Sequence, residues 1–256
     1  MTDIIKQNLL KNLDKGVRLD GRKLDEYREV VVKTGVSANA EGSATVRIGN
    51  TEVMAGVKML VEKPYPDKPD EGSIMVGAEL LPLSNPSFEM GPPGIWAIEI
   101  ARVVDRGIRE AGALDTKALC IEAGEKVWII SVDICTLNDE GNLLDASSLA
   151  TIAAIKNAVF PEYDGTTIDY KKKTDKKIKL LKEPIEVTVY KIGKHFIVDP
   201  VTDEEKAIDA RLTVAVLEDG RICALQKGGD ATLRENDIDI MVDLAAKKAA
   251  ELRKKL

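Results

Sequence analysis

The chain has 256 residues, a net charge of −6, a pI near 5.1, 44% hydrophobic residues and 31% charged ones. That length buries a substantial core in one large domain or two smaller ones, and the acidic balance argues against a surface that grips nucleic acid all over. No apolar run approaches the roughly 20 residues of a membrane span, and the N-terminus, "MTDIIKQNLLKNLDKG", has no secretory signal pattern, so a soluble, cytoplasmic protein is expected.

In chain order, Ile5, Leu9 and Leu13 recur at helical spacing and predict an amphipathic arm over residues 1–16. "YREVVVKTGV" and "GSATVRIGNTEVMAGVKMLV" then alternate apolar and polar residues, with Gly49-Asn50 as a hairpin turn. The prolines of "PYPDKPDEG" demand a loop, and "SIMVGAELLPL" reads as another strand before a second Pro/Gly loop. Residues 95–112 switch to helical period, with Trp96, Ile100, Val103, Val104 and Ala111 on one face and Gly112 as the C-cap. Strands follow at 119–122 and 126–137, then a helix over 144–159 rich in small residues.

From 161 to 184 the chain turns lysine-rich between two prolines, and it reads as a solvated, mobile connector, with an RNA-binding arm as the alternative. Strands at 185–191, 195–199, 208–217 and 221–227 and a closing helix at 235–254 complete the chain. The pattern predicts an α+β protein with a first domain over 17–160 and a second, smaller one over 185–256. Cys120, Cys135 and Cys223 are far apart in apolar surroundings, as buried reduced thiols are. His195 has no Cys or second His at metal-like spacing, so neither a metal site nor a histidine-based triad is expected.

Three stretches carry possible chemistry. In "NDEGNLLDASSLA", an acidic Gly-containing turn runs into a helix, where free backbone N–H groups attract anions. Yet Gly141 is followed by Asn142 and Leu143, with no Ser, Thr, Lys or Arg to hold a phosphate. On the helix 95–112, Arg102, Arg106 and Arg109 leave one face, suited to phosphate unless Glu99 and Asp105 pair with them. "DPVTDEEKAIDA" gathers carboxylates that suit Mg²⁺ or acid catalysis, or an ordinary solvated turn.

"RLDGRKLDEYREV", "NAEGSATVRIGNTEVMAGV", "NDEGN" with "LDASSLA", and "VDPVTDEEKAIDARLTVAV" together resemble the RNase PH family from about residue 17 to the final helix. The resemblance implies that family's fold, with a core like domain 2 of ribosomal protein S5. More narrowly, "EGSIMVGAELLPLSNPSFEMGPPG", "IEIARVVDRGIREAGALD" and "LDASSLATIAAIKNA" look like the non-catalytic ring subunits of the archaeal RNA exosome. Active family members carry a Gly-Ser/Thr-Arg triplet for the attacking phosphate where this chain has Gly141, Asn142 and Leu143. Losing one such preorganised contact costs about 2.7–4 kcal/mol in a transition state, and two are lost. Active members also carry paired aspartates where this chain has Asp199 and Glu205. The extra methylene moves the second carboxylate by about 1 Å, enough to cost about a hundredfold in rate. The resemblance therefore implies no catalytic residues and no cofactor here, and RNA-backbone contacts at Arg102 and Arg106. Its implied partners are a catalytic subunit in a hexameric ring of three heterodimers, RNA-binding cap subunits and single-stranded RNA. An active phosphorolytic homo-oligomer is the alternative reading, and an RNA-binding module built on the lysine-rich segment ranks behind it.

Overall fold

The computed structural model describes residues 2–256, with side chains from residue 6 onward. A helical arm, α1 (Thr2–Leu13), precedes a six-stranded sheet built from β1 (Val30–Thr34), β2 (Gly42–Ile48), β3 (Thr51–Glu62), β4 (Ser73–Glu79), β5 (Cys120–Glu122) and β6 (Lys126–Asn138). Its order is β1-β2-β3-β6-β4, with β5 also on β6. β3 alternates buried and half-buried residues along most of its length, as its sequence pattern requires. Ile48 pairs with Thr51 across the Gly49-Asn50 turn, and Gly49 has φ +59°. A Cβ at Gly49 would meet the Arg28 side chain at 2.5 Å, so the bare turn also makes room for that arginine. β4 is parallel to β6 while the other pairings of this sheet are antiparallel. A parallel pair needs a crossover, and α2 (Ile95–Ala111) supplies it. Gly112 ends α2 in the left-handed region at φ 58°, donating to the Arg109 carbonyl.

The second sheet contains β9 (Ile185–Ile192), β10 (His195–Val198), β11 (Ala210–Val216) and β12 (Ile222–Gly228) in the order β10-β9-β11-β12. A short helix, α4 (Thr202–Glu205), lies between β10 and β11, and α5 (Glu235–Arg253) packs on β9 and β11. Between the sheets runs α3 (Leu143–Asn157), buried without interruption from Leu143 to Ile155 and in contact with β2, β3 and β9. A helix enclosed on every side needs no polar face, which explains its run of Ala and Leu. At Gly42, any Cβ would fall 2.3 Å from the Ala154 carbonyl, so the helix and β2 approach as closely as backbone permits. One continuous hydrophobic core joins both sheets through α3. Leu9 and Leu13 fasten the arm to Tyr190, Ile192, Ile197 and Ala207, and His195 Nε2 lies 2.9 Å from Asp14 at the end of that arm.

The lysine-rich stretch expected as a mobile connector is instead a β-hairpin. β7 (Val159–Tyr163) pairs antiparallel with β8 (Ile168–Lys177), with bulges on both sides of Pro161. Lysines hide its strand pattern because the anchoring groups lie elsewhere in the chain. Trp128 meets Phe160 and Tyr163 edge-on, both at 5.5 Å, and Tyr170 donates to the Met59 carbonyl at 3.2 Å. The three cysteines are free and half-buried, more open than their apolar neighbours implied.

Candidate functional site

The turn between β6 and α3 has the outline of an anion cradle, and acceptors of the chain itself take three of its N–H groups. Glu140 N–H donates to Thr51 Oγ1 at 3.1 Å, Gly141 N–H to Asp139 Oδ1 at 3.0 Å, and Asn142 N–H to Glu205 Oε1 at 2.8 Å. The N–H groups of Glu140, Gly141 and Asn142, which lead into the helix, therefore already have internal acceptors. A Cβ on Gly141 would sit 2.5 Å from the Pro200 carbonyl, so the 139–142 turn and the segment ahead of α4 press directly together. Leu143, where a phosphate-binding residue would project, is 2% exposed and belongs to the core.

The acidic pair singled out in the sequence converges on Asn142 from two directions. Glu205 takes its backbone N–H, while Asp199 Oδ1 accepts from its side-chain Nδ2 at 3.0 Å. Asn142 and Asp199 are also the two non-glycine residues with positive φ, 63° and 47°, among the described residues. Such conformations persist when the surroundings over-determine them, and here the two strained residues hold each other.

Asp199 is fully buried and held by arginines of the opening motif. Arg28 reaches it through Nε at 2.9 Å and Nη2 at 2.7 Å, and adds its backbone N–H at 2.8 Å; Arg22 Nη1 adds a contact at 2.8 Å. Burial alone would raise its pKa, but the Arg28 hydrogen bonds and charge outweigh it and hold the carboxyl below its ordinary value. Arg28 also donates to the carbonyls of Glu140 and Gly141 at 3.0 and 3.1 Å, so this guanidinium is committed to the turn. Arg18 forms a buried ion pair with Glu204 and donates to the Val198 and Asp199 carbonyls.

Two buried carboxyls beside Asn142, Glu205 and Asp145, have raised pKa values. Burial pushes Glu205 up to about 7, reinforced by the charge of Asp139 and opposed by the Asn142 N–H. Burial likewise pushes Asp145 up to about 7 despite hydrogen bonds from Tyr27 Oη (2.6 Å), Thr188 N–H (2.8 Å) and Asn142 Nδ2 (3.2 Å). Tyr27 and Arg28 of the opening motif and Asp145 of "LDASSLA" were not singled out from the sequence; their signal was that these two motifs carry polar groups needing buried partners.

The arginines of α2 contrast with this. Arg109 is tied to Asp105 by hydrogen bonds of 3.0 and 2.8 Å and to the Ile74 carbonyl at 2.8 Å. Glu99 is drawn to Arg211 at 2.7 Å, while the Arg211 guanidinium lies 5.0 Å from the Trp96 ring. Arg102 and Arg106 are exposed and have no hydrogen-bond or ion-pair partner among the described residues. They border an open groove of about 820 Å³ between α2 and β4, whose floor includes Met75, Ile98 and Ala101. Among the described residues no group of three or more His, Cys, Asp or Glu is placed to hold a metal ion, and no helix is long and apolar enough to cross a membrane.

Residues 26–161 match domain 1 of the 3′ exoribonuclease family of RNase PH, and residues 182–248 match its domain 2. The chain belongs to that family. It is 44% identical over 253 residues to the exosome complex component Rrp42 of Methanopyrus kandleri, covering 98% of this chain and 95% of the relative. A solved structure described as the Archaeoglobus fulgidus exosome with RNA bound to the active site superposes with a TM-score of 0.92 at 44% identity, covering 99% of this chain and 98% of that one. An archaeal exosome core superposes at 0.88 with 42% identity, covering 99% and 96%.

Proposed function

We propose that the chain is a ring subunit of an archaeal-type RNA exosome in the cytoplasm, contributing structure and RNA contacts while a catalytic family member beside it performs phosphate-dependent 3′-to-5′ degradation. The observation that carries this reading is the occupied turn: Thr51, Asp139 and Glu205 take the N–H groups of Glu140, Gly141 and Asn142, and no hydroxyl or guanidinium stands at 142 or 143 to hold a phosphate. The acid at 199 is likewise unable to serve as a proton donor, because Arg28 keeps it charged and bound. Arg102 and Arg106 remain open to a polyanion beside the groove between α2 and β4.

Two measurements test it. The purified chain, incubated with RNA and inorganic phosphate, should release no nucleoside diphosphates, whereas the ring formed with its catalytic partner should. Phosphate-dependent shortening of RNA by the chain alone would refute the non-catalytic assignment. In the assembled ring, Arg102→Glu with Arg106→Glu should weaken RNA binding and reduce the salt slope by about 0.7 per lost phosphate contact.

A further inference from the structure

The β7–β8 hairpin bears the densest positive charge in the chain. Six of residues 171–179 are lysines and one, Asp175, is acidic, on a protein whose net charge is −6. Lys171, Lys172, Lys173, Lys176, Lys177 and Lys179 are all exposed. Only Lys172 has carboxylate partners among the described residues, Glu162 at 3.5 Å and Asp169 at 3.8 Å. Alternate residues of a strand stand roughly 6.6 Å apart, inside the Debye length of about 8 Å at physiological salt. The lysines therefore repel one another incompletely screened, and a bound polyanion relieves that repulsion while releasing counterions.

The hairpin also holds these charges in place. Lys173 Nζ donates to the Ala40 carbonyl at 2.6 Å, Lys176 lies 4.8 Å from the Phe160 ring centre, and Lys58 lies 4.1 Å from that of Tyr170. At the Tyr170 end of β8 a groove of about 570 Å³ runs between the hairpin and the ends of β3 and β6, lined by Tyr163 and Tyr170 and by Lys126, Glu62 and the Lys63–Glu125 pair at 3.9 Å. Tyr170 is 39% exposed. Fixed cations next to partly open aromatic rings are the two elements with which proteins hold single-stranded nucleic acid without reading sequence: charge for the backbone and π-faces for the bases. No residue lining this groove lines the groove beside Arg102 and Arg106.

We propose that the β7–β8 hairpin and its tyrosine-lined groove form a second binding surface for single-stranded RNA, separate from the arginine stripe of α2. The surface takes RNA by backbone charge and stacking, so it shows little base preference.

The test is a fluorescence-anisotropy titration of an unstructured, end-labelled oligoribonucleotide of about 30 residues, with the full chain and again with the assembled ring. The Lys171→Glu, Lys177→Glu, Lys179→Glu triple variant spares Lys173 and Lys176, which make structural contacts. It should raise the Kd at least about tenfold and lower the salt slope by about 0.7 for each lost phosphate contact. The same positions changed to Gln should give a smaller shift in the same direction, and this milder set decides the matter if the charge-reversed chain misfolds. Tyr170→Leu should weaken binding to the single strand several-fold and leave binding to a duplex of equal length unchanged. Affinity unaltered by both lysine sets would overturn the proposal and leave the lysines as guards of the open β8 edge. Unaltered RNA affinity with weakened assembly into the ring would overturn it in favour of a protein-docking surface. Because Arg102 and Arg106 are untouched in these variants, either result is independent of the α2 assignment.

Discussion

The turn at 139–142 and the outer face of α2 both look like anion sites, and they differ in which donors are still available. In the turn, the three N–H groups and the nearby Arg28 guanidinium all have acceptors within the chain. On α2, Arg102 and Arg106 have none among the described residues, although Arg109 one turn further on is fully engaged. The outline of a phosphate site can thus persist as an internal brace, while the unpartnered cations stand on a helix face with no turn geometry at all. Whether an anion can bind is decided by unpartnered donors rather than by local backbone shape.

The contrast can be broken most forcefully at Arg28. Arg28→Ala leaves the buried Asp199 carboxylate with much of its compensation gone, and such losses cost about 3–5 kcal/mol; urea unfolding of the purified chain should show a loss of that order. Glu205→Ala has a smaller effect, about 1–3 kcal/mol for an unsatisfied buried N–H, but it sharpens the comparison further. With Asn142 N–H released, the melting temperature of this variant should rise with added phosphate, whereas that of the parent should not. A phosphate-insensitive variant would mean that something besides Glu205 closes the cradle.

Glu186 separates fold stability from the arginine stripe. The residue is 4% exposed, and its carboxyl is so close to α2 that a Cβ on Gly107 would lie 2.0 Å from Oε1. Burial pushes its pKa from the ordinary 4.5 to about 8. The folded state therefore keeps a proton that the unfolded chain has lost, so this group's contribution is full below about 4.5 and is lost as pH rises to about 8. Glu186→Gln should flatten the stability–pH curve in that window by about one proton, roughly 1.4 kcal/mol per pH unit, and leave RNA binding unchanged. The smallest effect belongs to Arg109→Ala. Its pair with Asp105 is half in solvent, so stability should fall by less than about 1 kcal/mol, with RNA affinity of the assembled ring changed less than that of the Arg102 and Arg106 variants.

Much of this architecture was legible in the sequence wherever local period and burial coincide. The helices α2, α3 and α5 and the Gly49-Asn50 turn lie within a residue or two of their expected limits, because each presents its pattern to one contiguous core. β8 was not legible: its exposed lysines mask the alternation, and its anchors, Met59, Ala40 and Phe160, lie elsewhere in the chain. At the cradle, the missing hydroxyl and guanidinium at Asn142 and Leu143 could be read directly. That Glu205 would reach the Asn142 N–H could not, since the two are separated by 63 positions and meet only once both sheets have closed on α3. The Arg28–Asp199 contact spans 171 positions and was hidden for the same reason.

The enclosure of α3 has a consequence for how this polypeptide can be divided. Both sheets lean on the same helix, so neither family domain owns a complete interior. A cut near residue 181, where the two matched regions part, would leave the C-terminal fragment with the greasy underside of β9 open to water and the N-terminal fragment with a helix naked on one flank. The two matched stretches thus share a single interior.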